Sequence, residues 1–228
     1  MPEPATVIVL GSGAGVLYLR FFRKRYAEFK RAIDILFAAP GVVVSTPITF
    51  LLALLVRLTS RGPAFYLQER VGKDGRTFKI IKLRTMVVNA EETTGPVWAA
   101  DNDPRETWLG RILRRTHLDE LPQFWNVLRG DMSLIGPRPE RPVFVEKFRK
   151  EIPHYADRLA VRPGITGWAQ VNHPYDRSIE DVRRKLDFDR DYIRKMGWGI
   201  DIRIIVATAK RMLGIRTVRR PASSAPHA

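Results

Sequence analysis

Two adjacent carboxylates, Asp119 and Glu120, stand inside THLDELPQFWNVLRGDMSLIGPRP, the stretch from Thr116 to Pro139. Pro122 suits a first helical turn. Leu121, Phe124, Trp125 and Leu128 follow at the i, i+3, i+4, i+7 spacing of an apolar helix face, and Gly130 closes the run. The pair is thus expected at a helix N-terminus, where free N–H groups and the backbone dipole favour negative charge and anion binding. A carboxylate held there among cations has two chemical uses. It can ligate Mg²⁺, which takes one or two carboxylates together with phosphate oxygens, or it can attack phosphorus as a covalent nucleophile. The same two residues also serve an ordinary helix start, Asp119 as the N-cap and Glu120 as a charge complementing the dipole. The pair by itself does not separate these readings.

The surroundings add cations. Arg114 and Arg115 lie just before the pair, and Arg138 and Arg141 flank the Gly136–Pro139 turn. A second Gly/Pro-marked segment, RPGITGWAQVN at Arg162–Asn172, carries a further arginine, an aromatic ring and two amides. Arginine suits bidentate phosphate contact, although each of these residues singly could be an ordinary surface charge.

The elements that must hold such a site are readable along the chain. Its 228 residues suffice for one domain with a real core and an appended membrane element. The net charge of +15 implies an anionic partner, whether nucleic acid, an anionic leaflet or phosphorylated substrates. There is no cysteine, which excludes a disulfide framework and thiolate metal sites, and none of the four histidines pairs at helical metal-ligand spacing. No nucleic-acid recognition motif is present, so nucleic acid is not expected as a partner.

Residues 5–19 are uncharged and read as a short membrane-associated helix. Gly11, Gly13 and Gly15 lack the spacing and the acidic sequel of a dinucleotide site. A basic, aromatic stretch at 20–31 follows, suited to lie against lipid headgroups. Ile35–Val56 then runs for 22 residues without a charge, ~33 Å as an unbroken helix at ~1.5 Å per residue. Pro40-Gly41 and Pro47 interrupt it, with Ser45 and Thr46 available to satisfy freed carbonyls. Basic residues stand at both ends: Lys24, Arg25, Lys30 and Arg31 before, Arg57, Arg61, Arg70 and Lys73 after. Basic flanks favour the cytoplasmic side, so the expected form is a helix-break-helix that dips into one leaflet and returns, with a plain spanning helix as the alternative.

Arg61–Met86 reads as a β-hairpin around the turn Val71–Gly75, with Lys79, Lys82 and Arg84 alternating with Phe78, Ile80 and Leu83. Residues 87–108 are an irregular connection marked by Gly95-Pro96 and Asp103-Pro104, and Thr107–Arg115 is helical. Ser178–Met196 is a charged helix in which Asp187, Asp189 and Asp191 are expected to be solvated or paired with arginines. Ile200–Leu213 is an amphipathic helix suited to a membrane interface. The tail from Arg216 reads as disordered.

Several long motifs, in order, carry a family resemblance. KRAID at 30–34, QERVG at 68–72, KIIKLRTM at 79–86, LDELPQFWNVLRGDMSLIGPRP at 118–139 and RPGITGWAQVN at 162–172 together resemble the bacterial sugar transferases, the monotopic phosphoglycosyl transferases, across roughly residues 30–210. The family pattern breaks its membrane helix at Ser-Pro where this chain has Thr46-Pro47, and Asp189-Arg190-Asp191-Tyr192 is less aromatic than the pattern. The resemblance implies an enzyme that transfers a sugar 1-phosphate from a UDP-sugar to undecaprenyl or another polyprenyl phosphate, releasing UMP. It implies Asp119 as nucleophile and Mg²⁺ ligand, Glu120 as its dyad partner, and Mg²⁺ as cofactor. Lys82, Arg84, Arg114, Arg138 and Arg162 fall on basic motif positions and are read as phosphate-binding.

The expected fold is α+β: a re-entrant membrane helix-break-helix with a small cytoplasmic catalytic domain holding a β-hairpin and interfacial amphipathic helices. The expected organisation is 1–30 as an apolar and juxtamembrane segment, 31–57 as the re-entrant helix, 58–215 as the catalytic domain and 216–228 as the tail. The expected place is the bacterial inner membrane, facing the cytoplasm. The expected partners are the UDP-sugar, polyprenyl phosphate and anionic lipids, with a homodimer among the assemblies the sequence permits. A basic membrane-associated scaffold without catalysis is the alternative.

Overall fold

The computed structural model describes residues 13–92, 95, 97, 103–173 and 178–214, with side chains from Tyr26 onward apart from residues 27 and 28. The readings of residues 5–12, of Pro96 and of the tail from Arg216 lie outside the described residues.

The first element, α1, is a single helix over Gly13–Thr59 that contains both Pro40 and Pro47. The break expected at these prolines is not a helix end. Pro47 cannot donate to the carbonyl of Val43, but the hydroxyls of Thr46 and Ser45 bond the neighbouring Val42 carbonyl at 2.7 and 3.4 Å, and the helix continues. One face of α1 is buried in helical register: Ala38, Val42, Ser45, Thr49, Ala53 and Val56. The opposite face exposes Leu36, Phe37, Val43, Val44, Phe50, Leu51, Leu54 and Leu58. A contiguous apolar face of this size marks a membrane or partner surface, and the Phe29–Thr59 stretch is long and apolar enough to cross a membrane.

The hairpin is as expected. Strands β1 (Phe65–Val71) and β2 (Thr77–Leu83) pair antiparallel from Phe65 opposite Leu83 to Val71 opposite Thr77. The turn places Asp74 and Gly75 in the left-handed region, at φ 57° and 81°. Helix α2 (Trp108–Thr116) is capped by the Thr107 hydroxyl, which accepts from the Gly110 N–H at 2.9 Å. A short 3₁₀ turn, Leu118–Glu120, leads into helix α3 (Gln123–Arg129), which ends at Gly130 with φ 91°.

Beyond α3 the chain forms β3 (Ser133–Ile135), α4 (Pro142–Glu151), a 3₁₀ segment Tyr155–Ala160, β4 (Gly164–Thr166), α5 (Trp168–Asn172), α6 (Ile179–Lys195) and α7 (Trp198–Met212). Strands β3 and β4 pair in parallel, which brings the Gly136–Pro139 turn beside the RPGITGW segment. The approach is too close for side chains: a Cβ on Gly164 would lie 2.1 Å from the Gly136 nitrogen. The structure is thus mixed helix and small sheet, with one long apolar N-terminal helix.

Four apolar clusters tie these elements together. Ala53 and Val56 of α1 pack with Leu83, Leu109 and Leu113. Ala38 packs with Ile80, Val127 and Met132. Val71 joins α4 and α6 through Phe148, Val182 and Leu186. Ile135 meets Val171, Tyr192 and Ile204. The N-terminal half of α1 is fastened separately: Asp201 of α7 accepts from Lys30 Nζ at 2.5 Å and from the Tyr26 hydroxyl at 2.8 Å.

Candidate active site

The local fold sets the carboxylate pair between two helices. His117 takes the left-handed conformation that ends α2, at φ 57°, and the chain turns once as 3₁₀ before α3 begins. Asp119 and Glu120 therefore stand on the 3₁₀ turn, with Pro122 as N-cap of α3. The buried face of α3 also differs from the apolar stripe expected. It carries Gln123, Asn126 and Val127, while Trp125 is exposed. The reason is the edge of β2. Asn126 donates from Nδ2 to the Lys79 carbonyl at 2.8 Å and accepts the Ile81 N–H at 3.0 Å, so one amide replaces a neighbouring strand. That clamp fixes β2 against α3 and sets Lys82, the next residue on β2, against the carboxylates.

Both carboxylates are buried, Asp119 at 6 % and Glu120 at 9 % exposure. Such burial is tolerated where the charge is paired, or where the group's pKa rises toward its neutral form. Glu120 Oε1 accepts from Lys82 Nζ at 2.6 Å and from Arg138 Nη2 at 2.5 Å, and Arg138 Nη1 reaches Oε2 at 3.4 Å. Burial pushes the Glu120 carboxyl up, but Arg138 and Lys82 outweigh it and hold the group well below its ordinary range. Among the described residues, no hydrogen bond or ion pair engages the Asp119 carboxylate. Burial raises its pKa and Glu120 adds to this, while Lys82, Arg138 and Arg114 act the other way. The two neighbours are thus driven apart, one fixed as an anion and one basic and unpaired. Such a split is characteristic of carboxylates with different chemical duties. The Lys82 ammonium is pushed down by burial, against the pull of Glu120, while Arg138, drawn by Glu120, stays charged.

The structure does not gather all the expected phosphate-binding residues. Lys82 and Arg138 join the pair directly. Arg114 acts on Asp119 through its field, and its Nη1 bonds Glu106 Oε1 at 2.7 Å. Arg84 is elsewhere. Its guanidinium, buried at 6 % exposure, donates to the carbonyls of Pro63 at 2.6 Å, Arg61 at 2.7 Å and Ser60 at 3.0 Å, closing the chain that leaves α1. Arg162 lies at the other end of α3. Its Nε donates to the Gly130 carbonyl at 2.9 Å, and it lines a cavity of about 60 Å³ with Lys30, Asp34, Lys73 and Tyr192, apart from the carboxylates.

Two residues around the site escaped the sequence reading, and a third, Asp189, is arginine-paired as one of its expected states allowed. Gln123 and Asn126 were legible only as polar interruptions in an apolar helix. Asp189, expected among solvated or paired aspartates, is 1 % exposed and pairs with Arg158, 2.9 Å from its Nη2. The available signal was its place in the Val182, Leu186, Asp189, Tyr192 stripe of α6.

A magnesium ion would find one suitable ligand here. Glu120 is already occupied by two cations, and no cluster of three acidic or histidine ligands occurs among the described residues. Asp119 alone offers unpaired carboxylate oxygen. This donor set fits Mg²⁺ held chiefly by substrate phosphate oxygens and water, and not a cation held by protein alone.

Comparison with known proteins supplies a family and relatives for the chain. The family model described as bacterial sugar transferase matches residues 25–214. An Aeromonas hydrophila protein named UDP-N-acetylgalactosamine-undecaprenyl-phosphate N-acetylgalactosaminephosphotransferase is 46 % identical over 188 residues, covering 82 % of this chain and 44 % of that protein. Two proteins named UDP-glucose:undecaprenyl-phosphate glucose-1-phosphate transferase are also similar. The one from Xanthomonas campestris pv. campestris is 41 % identical over 198 residues, 86 % of this chain and 41 % of its own. The one from Escherichia coli is 43 % identical over 181 residues, 78 % of this chain and 39 % of its own. The chain thus spans about two fifths of the length of these three relatives.

Proposed function

The chain belongs to the bacterial sugar transferase family, and from that premise we propose that it transfers a sugar 1-phosphate from a UDP-sugar to undecaprenyl or a related polyprenyl phosphate, releasing UMP. The observation that carries this reading is the divided carboxylate pair. Glu120 is neutralised by Lys82 and Arg138, and Asp119 beside it is buried and free of partners among the described residues. The names of the relatives supply the substrate classes.

The chemistry follows from what these side chains can do. An Asp119 oxygen attacks the phosphorus that bears the sugar. The bond from that phosphorus to the bridging oxygen breaks, its electron pair goes to the α-phosphate, and UMP leaves. An oxygen of the polyprenyl phosphate then attacks the same phosphorus and releases Asp119 as carboxylate, leaving a polyprenyl diphosphate sugar. Both attacks bring anion to anion. Lys82, Arg138 and the field of Arg114 lower that repulsion in a site from which water is largely excluded. Glu120 keeps Lys82 and Arg138 gathered beside Asp119 and is not itself consumed. Mg²⁺, held by Asp119 and phosphate oxygens, would neutralise charge developing on the leaving phosphate. A raised Asp119 pKa makes a more basic and hence stronger nucleophile once ionised.

The acceptor carries a hydrocarbon tail, so the site belongs at a membrane surface. The proposed anchor is α1, held in one leaflet with the domain on the cytoplasmic side. Its domain-facing residues run from Lys30 through Ala38 to Val56, on both sides of Pro40 and Pro47. A helix crossing ~30 Å of hydrocarbon could not keep its whole length against one water-facing domain.

The test is UMP release from UDP-sugars with polyprenyl phosphate and Mg²⁺. Wild-type protein is expected to release UMP, and Asp119→Asn to lose turnover by at least ~10³-fold while remaining with the membrane fraction. Full turnover by the Asn variant would refute the nucleophile, and an inert wild type across the donor panel would refute the activity.

A further inference from the structure

The segment Pro137–Glu140 is held in an unusual way. Two of its residues are prolines and have no N–H, so it cannot be fixed as a regular strand is. Its carbonyls are gripped instead, four in succession. Pro137 accepts from the Gly164 N–H at 2.9 Å, Arg138 from Arg158 Nη2 at 2.8 Å, Pro139 from Arg70 Nη1 at 3.0 Å and Glu140 from the Val71 N–H at 2.8 Å. From this segment the Arg138 side chain reaches Glu120.

The grip on Arg138 itself comes from deep in the domain. Arg158 is 4 % and Asp189 1 % exposed. Arg158 Nε donates to Asp189 Oδ2 at 3.0 Å, Nη1 donates to the Tyr155 hydroxyl at 2.8 Å, and Nη2 is shared between Asp189 and the Arg138 carbonyl. An arginine fork can serve three directions at once because its donors are rigid and planar. Asp189 supplies the counter-charge that lets Arg158 stay buried. A buried ion pair is a weak means of raising stability, since both ions lose hydration, yet it is a strict means of fixing a direction. The line from α6 through Asp189 and Arg158 ends on the backbone of the residue that neutralises Glu120.

We propose that Asp189 and Arg158 are positioning residues for the transfer, acting through Arg138 to keep its guanidinium on Glu120 and so beside Asp119. The inference rests on the phosphosugar transfer proposed above for its kinetic readout, but not for its structural one. Neither residue touches the carboxylate pair, and nothing in the resemblance or the comparisons gives them a role.

The kinetic test is a double-mutant cycle on the full chain in the UMP-release assay. Asp189→Asn is isosteric and removes only the charge. It is expected to lower kcat about 10–100-fold, as a displacement of order 1 Å near reacting groups does, with KM for the UDP-sugar within about twofold. In an Arg138→Met background the same change should cost less than about twofold, because the group it positions is gone. Arg158→Lys keeps the charge but lacks the fork, and is expected to reproduce the Asp189→Asn loss. Multiplicative losses in the Arg138→Met background, or full kcat in Arg158→Lys, would overturn the proposal.

The structural test is amide hydrogen exchange on wild type, Asp189→Asn and Arg158→Lys. Faster exchange concentrated at the Gly136, Gly164 and Val71 amides, the last two being the N–H groups that hold the Pro137 and Glu140 carbonyls, is expected in whichever variant folds. Unchanged exchange there, or uniform acceleration over the whole domain, would overturn the proposal even if the protein proved to transfer no sugar phosphate.

Discussion

Arg84 and Lys82 are two residues apart on one motif, and both fall on basic family-motif positions expected to bind phosphate. The structure separates them by what their side chains touch. Arg84 makes three charged hydrogen bonds to the carbonyls of Ser60, Arg61 and Pro63, between 2.6 and 3.0 Å. A hydrogen bond to a charged group is worth about 1.5–3 kcal/mol net. Arg61 and Pro63 are themselves exposed, so water will recover part of the loss in a variant. For Arg84→Leu we therefore expect a destabilisation of about 3–4 kcal/mol, or a fall of roughly 10 °C in Tm for a chain of this size. Turnover per folded molecule should stay within about threefold of wild type. Lys82→Met should do the reverse. It leaves Glu120 with Arg138 alone, costs Asp119 its largest favourable charge interaction, and is expected to lower kcat about 10²-fold with Tm within a few degrees. Thermal unfolding in detergent and UMP release on the same preparations give both numbers. An Arg84→Leu protein of wild-type stability with turnover lost would refute the assignment of Arg84 to the α1 exit.

Two further outcomes follow. Burial of most of the Glu140 side chain raises its pKa, but Lys185, Arg158 and Arg70 more than reverse this and bring it down to about 2. A depressed carboxyl contributes stability above its unfolded pKa, ~4.5, and loses it as pH falls toward the folded value. The domain should therefore weaken from about pH 5 down to pH 2, by an amount of order 3 kcal/mol for this group. Glu140→Gln should be less stable at pH 7 and flatter across that window; an unchanged acid slope would refute the assignment. The chain has no cysteine, so single cysteines at Ala32 and Arg61 can report sidedness. Both are expected to label from the cytoplasmic side of sealed vesicles, and opposite-side labelling would mean that α1 spans.

The elements governed by local rules were legible in the sequence: the hairpin from its Gly/Asp turn, and α2, α6 and α7 from their periodicity. What escaped was set by contacts across the chain. The parallel pair β3–β4 has three residues in each strand, too few to give a period, and depends on Gly136 and Gly164 meeting face to face. The buried face of α3 is polar because Asn126 completes a strand edge 45 residues away, a partner no helical wheel contains. The inward turn of Arg84 is a third case: the basic residues Lys79, Lys82 and Arg84 suggest a cationic surface, but not that Arg84, just past β2, would be drawn into a ring of carbonyls. Of the expected phosphate-binding set, Lys82 and Arg138 do meet the carboxylates, because residue type and motif order were enough to collect cations near anions. Which oxygen each one holds required the fold.

The unequal treatment of the two carboxylates is what allows two adjacent acids to be buried together. Two adjacent buried anions would ordinarily cost more than their region could return, and the usual remedy is that one takes up a proton. Here the remedy is asymmetric pairing. Lys82 from β2 and Arg138 from the Gly136–Pro139 turn both converge on Glu120, and each is itself fixed by a long-range clamp, Asn126 for the strand and Arg158 for the turn. The result is a preorganised cationic wall that exists before any phosphate arrives. In the proposed transfer an incoming diphosphate would meet Asp119 with its neighbours' charges already arranged, leaving little reorganisation for the moment of attack. The helix that carries the apolar face supports this arrangement from one side only, through Ala38 on α3 and Ala53 and Val56 on α2. The exposed apolar face and the support of the carboxylate pair are therefore opposite faces of the same helix, which lets the proposed membrane attachment leave the site's geometry undisturbed.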